Sequence, residues 1–390
     1  MKLNYKQILL MGLLLLFGCD NSNSPFNESE YYDLNTIQIG EVRDLDIFDD
    51  MLFVATESRG IYIYEIFSNS IETLYENQEW GVGKDMRNIY YASNVNMLYV
   101  LDRFGYTYHS YLPHLLDDNS YDGSCSTNST PDTLLINNCA ATQTHATKFA
   151  VNRFGDVGPE LYILHKHNAD NELYTENSYS SINFMQYNFN PQASGSMFCE
   201  FFTTCEDNAL ISTDSGVDEI EDSLGYDISD IFYLDDKLYV ANPRNNINSF
   251  EIYEKDQSSN SLEDIVYSLL TYHETNTKVK SIYAVNDYVL AGTESGCYIT
   301  LLEGGGLSDD EDSKLLLAED YTIYDIYFSE NKLILSTGIN GIIIYDWDGS
   351  SMDINEDMRI HSSYAFTARF INNMYFIATK NGLEIYNIEE

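Results

Sequence analysis

Apolar and polar positions alternate along most of this chain with a period of two, in short runs broken by polar pairs and glycines. One such unit recurs about seven times. It reads most clearly in VRDLDIFDDMLFVATESRGIYIYEI from Val42, ISDIFYLDDKLYVANPRNNINSFEIYE from Ile228, VKSIYAVNDYVLAGTESGCYITLL from Val279, IYDIYFSENKLILSTGINGIIIYDW from Ile323 and FTARFINNMYFIATKNGLEIYNI from Phe366. Each unit opens with an alternating strand. It then turns at a polar pair: Asp49-Asp50, Asp235-Asp236, Asn286-Asp287, Glu330-Asn331 or Asn372-Asn373. These residue types tolerate the left-handed backbone of tight hairpins. An apolar second strand follows and ends near Ala55, Leu101, Leu164, Ala241, Ala291, Ser336 or Ala378. Gly60, Gly105, Gly296, Gly341 or Gly382 then supplies the positive φ of a second turn. The third strand is aromatic and β-branched, as in Ile342-Ile343-Ile344-Tyr345, and a weaker fourth strand lies at Ile71 to Tyr75 or Ser313 to Ala318.

A period in the forties built only of short strands predicts an all-β fold, a seven-bladed β-propeller, because one small sheet cannot bury both faces until neighbours stack against it. The chain stops soon after the third strand of the last unit, leaving that blade one strand short. Residues Asp33 to Ile39 precede the first unit and have a strand pattern with no other partner. They are expected to form the outer strand of the last blade and close the ring, which removes two sheet edges at once. An open solenoid is the alternative. The units are interrupted by insertions near 115–146 and 169–225, rich in Asn, Ser, Thr and Asp. Long loops on a rigid scaffold either carry recognition or drift on a tolerant surface.

The N-terminus divides the chain further. Lys2 and Lys6 precede an apolar run from Ile8 to Phe17, too short to span a bilayer comfortably and laid out as a secretory signal. Leu16-Phe17-Gly18-Cys19 resembles the bacterial lipobox, which implies that residues 1–18 are removed and that Cys19 carries the lipid, palmitate included. Residues 19–32 are polar enough to be a disordered tether, and residues 33–390 form the propeller. No later segment is apolar enough to cross a membrane, so anchoring rests on lipid alone. The expected location is the bacterial cell envelope, facing periplasm or exterior.

Charge narrows the partners. The whole chain carries −42, and losing Lys2 and Lys6 with the leader moves the mature chain to −44. Such an acidic surface repels nucleic acid and anionic headgroups over most of its area, so no nucleic acid is expected as a partner. After export, Cys125–Cys139 and Cys199–Cys205 are expected as local disulfides inside the insertions, and Cys297 as a buried thiol within a strand. The mature chain is expected to be a monomer.

The scarce cations are unevenly placed. The second position of the innermost strand carries Arg43, Arg87, Lys148, Ser229, Lys280, Tyr324 and Thr367 across the units. The turn between strands two and three carries Arg59, Arg103, Lys166, Arg244 and Lys380. Both positions lie on one face of a propeller, so one mouth of the ring is expected to be locally positive. Such a mouth would capture a carboxylate, a phosphate, an anionic glycan or an acidic protein loop. The competing expectation is structural. Asp44, Asn88, Asp230 and Asp325 occupy the adjacent column, and pairing between blades would use up the cations as ring-closing contacts. The alignment is sensitive, since a one-residue slip turns a charge to the other face.

Other chemistry is thinner. Asp118 to Gly123 sets Asp118, Ser120 and Asp122 at alternate positions before glycine, as calcium loops do, but the twelfth position is Ser129 where a bidentate acid is expected. Asp346, Asp348 and Asp353 form a similarly partial set. His165 and His167 lie on one strand face with no third ligand nearby in sequence. No G-x-S-x-G elbow is present. With 62 acids, carboxylate pairs for glycoside chemistry are available everywhere and informative nowhere.

The hairpin with a polar turn, the A-T or A-N end of strand two and the glycine before an apolar third strand together resemble the LVIVD repeat of secreted and lipid-anchored bacterial proteins. The best matches are GIYIYEI at Gly60, GIIIYDW at Gly341 and GLEIYNI at Gly382. Tyr often stands where the family has Asp, and units two and three depart furthest. The resemblance implies a propeller outside the cytoplasm and little about activity. The function expected is a non-catalytic binding or scaffold module. The alternative is an envelope hydrolase or lyase acting on glycans or other extracellular polymers.

Overall fold

The computed structural model describes residues 35–77 except 69, 85–116 except 94–95 and 104–105, 140–152 except 144–145, 160–167, 179–190, 198–202, 209–212, 228–255 except 242–246, and 267–388 except 305 and 309. The expected signal, the tether and most of the two insertions lie outside these residues, as do Cys19, Asp118, Asp122, Cys125, Cys139 and Cys205. Cys199 falls on the strand Phe198–Phe202.

Among the described residues the strands form seven antiparallel sheets. The first runs Val42–Phe48, Met51–Thr56, Ile61–Ile66 and Ile71–Asn77, and the second Met86–Ala92, Met97–Asp102, Tyr106–Tyr111 and Ala140–Gln143. The third runs Ala146–Asn152, Glu160–His167, Tyr179–Asn190 and Phe198–Phe202, and Ala209–Ser212 also pairs with Tyr179–Asn190. The fourth holds Ile231–Leu234, Lys237–Val240, Ser249–Lys255 and Tyr267–Glu274. The fifth holds Val279–Val285, Tyr288–Thr293 and Gly296–Glu303, flanked by Gly306–Leu307 and Lys314–Leu317. The sixth is Asp325–Ser329, Lys332–Ser336, Ile342–Asp346 and Asn355–Ile360. The seventh takes Ala365–Ile371, Met374–Thr379 and Gly382–Asn387 from the end of the chain and Asn35–Ile37 from its beginning. Thr36 stands opposite Glu384 in that last pairing.

The turns follow from residue type. Asp49, Asp235, Asp236, Asn286, Glu330, Asn331, Asn372 and Asn373 all adopt positive φ between the first and second strands of their sheets. Gly341 shows why the second turn needs glycine: its φ is +81°, and a Cβ there would stand 2.0 Å from the carbonyl oxygen of Ile360.

The core lies between sheets rather than within them. Phe53, Ile61 and Ile63 of the first sheet pack on Ile89, Leu98 and Val100 of the second. Comparable clusters join the third and fourth, fourth and fifth, fifth and sixth, and sixth and seventh sheets. The first and seventh share one too, with Leu52, Val54 and Tyr62 against Phe376, Leu383 and Ile385. Each sheet is therefore stable only with its neighbours, because both of its faces are apolar. Cys297 is the expected buried thiol, enclosed between the fifth and sixth sheets.

Candidate functional site

The innermost strands of all seven sheets line a single cavity of about 480 Å³. Which side chains reach it is decided by a β-bulge that recurs near the start of those strands. The register shifts between Val42 and Asp44, Met86 and Asn88, Ala146 and Lys148, Val279 and Ser281, and Ala365 and Thr367. A bulge sets two residues against one and re-aims the strand beyond it. The extra residues are Arg43, Arg87, Thr147, Lys280 and Phe366. Past the bulge, Asp44, Asn88, Lys148, Asp230, Ser281, Asp325 and Thr367 share one level, and all but Ser281 and Thr367 border the cavity. Two residues further on, Asp46, Tyr90, Ala150, Phe232, Tyr283, Tyr327 and Arg369 form the next level, and all border it.

The expected column of cations is therefore split. Lys148 stands one place further along than Arg43, Arg87 and Lys280, level with Asp44, and Thr367 shifts in the same way. Arg369, which sequence reasoning passed over, enters the cavity. Its only advance signal is a lone guanidinium in the otherwise uncharged run AFTARFI.

These groups bind sheet to sheet. Arg369 donates to the Asp325 Oδ2 at 3.0 Å, to the Thr367 hydroxyl at 2.5 Å and to the Ala368 carbonyl at 2.8 Å. Its other terminal nitrogen lies 3.8 Å from the Asp44 Oδ1, and its guanidinium covers the Tyr327 ring at 4.6 Å. Asp44 accepts from the Ile89 N–H at 3.0 Å and the Asn88 amide at 3.2 Å, and Asp46 from the Tyr91 N–H at 2.8 Å. Lys148 Nζ stands 2.6 Å from the Asp230 Oδ1, and the Asp230 Oδ2 accepts from the Ile282 N–H at 2.9 Å. The junctions six to seven, seven to one, one to two, three to four and four to five thus each carry a buried polar link.

Burial pushes the Asp44 carboxyl up to about 6, against the opposing pull of Arg369 and the Ile89 N–H. Burial also works against the Lys148 ammonium, but Asp230 and Asp325 outweigh it and its pKa stands above the usual lysine value. Low dielectric makes such groups costly alone and firm when paired.

Among the described residues, the other cations expected at the mouth do not border the cavity. Arg43 bridges Glu41 at 2.9 Å and Glu57 at 3.0 Å and covers the Phe366 ring at 4.8 Å. Arg87 pairs with Asp85, and Lys280 with Glu294 at 2.8 Å. Arg59 reaches the Gln38 carbonyl at 3.5 Å. Arg103 is exposed on its turn, and Lys380 rests over the Tyr364 ring at 4.0 Å. Arg244 lies outside the described residues, and Lys166 lies on the strand Glu160–His167. Asp348 is engaged by the Ser350 and Ser351 N–H groups at 2.8 and 3.2 Å. Among the described residues no group of three or more His, Cys, Asp or Glu could hold a metal ion.

No protein-family model and no curated protein sequence matches the chain. Solved structures do resemble it. The computationally designed Ika8 protein is 11% identical, with a TM-score of 0.53 over 91% of this chain and 98% of that one. A chain of the mitotic checkpoint complex is 10% identical, with a TM-score of 0.53 over 95% and 98%. The WD40 β-propeller domain of Doa1 is 10% identical, with a TM-score of 0.51 over 94% and 99%. At these identities the likeness establishes the fold, a β-propeller, and nothing more.

Proposed function

We propose that this chain is a closed seven-bladed propeller, held by lipid on Cys19 to the outer side of a bacterial membrane, and that it works as a non-catalytic binding or scaffold module. Seven inner strands around one cavity and the seating of Asn35–Ile37 on Gly382–Asn387 support the closed ring. The ordered parts of the leader support export and anchoring.

One observation carries the functional reading: every carboxylate bordering the cavity near its charged level is engaged by fixed donors. Asp44, Asp46 and Asp230 accept backbone N–H groups of the following sheet, and Asp325 is held by Arg369 and Thr367. A general acid or base must be free to exchange a proton with a substrate. Here those oxygens are taken up by donors of the sheets themselves. Anion capture at a basic mouth is equally disfavoured, since Arg43, Arg87, Lys148 and Lys280 each face a carboxylate. Recognition then falls to the outer ends of the sheets and to the insertions 115–146 and 169–225.

Membrane fractionation with a palmitate-analogue label tests the anchor. The native chain should label and sediment with membranes and Cys19→Ala should do neither; retention of the variant overturns lipid anchoring. Photo-crosslinking from positions within 115–146 and 169–225 in cells should give a discrete protein adduct from at least one of them. Its absence from both insertions overturns the binding-module reading.

A further inference from the structure

A second cavity, of about 340 Å³, opens where the N-terminal strand joins the seventh sheet, walled by Thr36, Gln38, Ser362, Ser363, Asn381 and His361. Glu384 borders it as well, from the middle of the strand Gly382–Asn387, and is only 3% exposed. The Glu384 Oε1 accepts from the Ser363 N–H at 3.3 Å and the Thr379 hydroxyl at 3.4 Å, both long. Its Oε2 has no partner, and neither does the buried Ser362 hydroxyl beside the same cavity. The cation next along the chain, Lys380, is turned away onto the Tyr364 ring.

A buried carboxylate with one oxygen unanswered is costly, and removing a charge from water is offset only by a counter-charge with good hydrogen bonds. This contrasts with the large cavity, where each carboxylate has its donors. We propose that this seam cavity binds an alkylammonium group, either the side chain of a partner's lysine or a free primary amine, with Glu384 as its counter-ion. An ammonium brings three N–H donors and no acceptor. Glu384, Ser362 and the amide or hydroxyl groups of Gln38, Asn381 and Thr36 border the cavity and offer acceptors of the kind an ammonium needs. A hard metal ion fits less well, because calcium takes six to eight oxygens at short range and is usually held by several carboxylates. Glu384 is the single carboxylate here, and the space is far larger than one ion requires. The net charge of −42 concentrates cations at the surface and speeds their encounter. The site stands apart from the proposed function and holds whether or not the large cavity takes a ligand.

The test uses the full-length chain in detergent, titrated with n-butylammonium, with a capped Gly-Lys-Gly tripeptide, and with n-butanol and calcium chloride as controls. Binding is followed by calorimetry and by the melting temperature. Saturable binding of n-butylammonium that falls at least tenfold in Glu384→Gln, with none for n-butanol, is the expected result. Binding of the tripeptide as well assigns the site to a lysine side chain, and binding of the small amine alone assigns it to a free amine. Equal amine binding by Glu384→Gln, or stabilisation by calcium and not by amine, overturns the proposal. Asn381→Lys gives an independent arm that leaves the carboxylate in place. Its tethered ammonium should raise the melting temperature and block n-butylammonium, and undiminished amine binding by that variant is equally fatal.

Discussion

Arg369 is the point where the ring can be tested most directly. It links the sixth, seventh and first sheets, through Asp325 at 3.0 Å and Asp44 at 3.8 Å, and its side chain is 15% exposed. Replacing it by Met keeps most of the volume and the apolar stem over Tyr327 while removing the charge. Asp325 and Asp44 would then face the cavity without their cation. Breaking a buried pair from one side costs about 3–5 kcal/mol, because the surviving charge is stranded. A domain stable by about 5–15 kcal/mol would lose roughly a fifth or more of that. Urea denaturation followed by tyrosine and tryptophan fluorescence, which includes the buried Trp347, measures the loss at pH 7. Adding Asp44→Asn and Asp325→Asn should restore most of it, since the stranded charges go too, and the non-additivity measures the coupling. A loss below about 1 kcal/mol, typical of an exposed pair, would refute the view of Arg369 as a clasp. So would a triple variant no more stable than the single one.

Three further outcomes follow from the same structure. The Asp44 carboxyl lies at about 6 folded against an ordinary aspartate value of 3.8, so its contribution to stability is complete below pH 3.8 and is lost as pH rises through 6. The difference corresponds to about 3 kcal/mol. Urea midpoints of the native chain and Asp44→Asn measured from pH 4 to 7 should therefore diverge on raising pH, with parallel curves counting against it. Deleting residues 33–39 should lower stability by about 3 kcal/mol or more, since Ile37 and the 6%-exposed Ile39 leave the core shared by the first and seventh sheets. Deleting 20–30 should leave the melting temperature unchanged, and equal effects would argue against closure by this strand. Gly341→Ala should lose at least about 1–3 kcal/mol, from its left-handed backbone and the contact with the Ile360 carbonyl; a variant as stable as the parent in urea would contradict that.

The repeat was legible because its signals are local. Asp49, Asn286 and Asn373 announce the hairpins through residue type alone, and each sits at positive φ. The strand assignments follow from alternation, which a reader can count. The cavity was less legible because the bulge inserts a residue without disturbing the apolar rhythm on either side. Ala146-Thr147-Lys148 reads as well in one register as in the next, so Lys148 looked like the counterpart of Arg43 when its partner across the ladder, Leu164, makes it the counterpart of Asp44. The same effect makes Gly292, not Ala291, the residue opposite Ser281. The charge balance around the cavity depends on contacts between residues some 45 positions apart or more, such as Asp44 with Ile89, and no window along the sequence contains both. Glu384 is hidden for a different reason. Its isolation depends on what does not approach it, and absence of a neighbour leaves no mark on a sequence rich in acids.

The pairing of Asn35–Ile37 with Leu383–Ile385 has a mechanical meaning if the lipid is where the leader places it. Tension between the membrane and whatever the ring holds would run along the tether and arrive first at that three-residue strand. The strand would be the fuse of the molecule: its few hydrogen bonds would set the pull at which the last sheet opens, while the other six sheets, joined by continuous chain, would feel the load only afterwards.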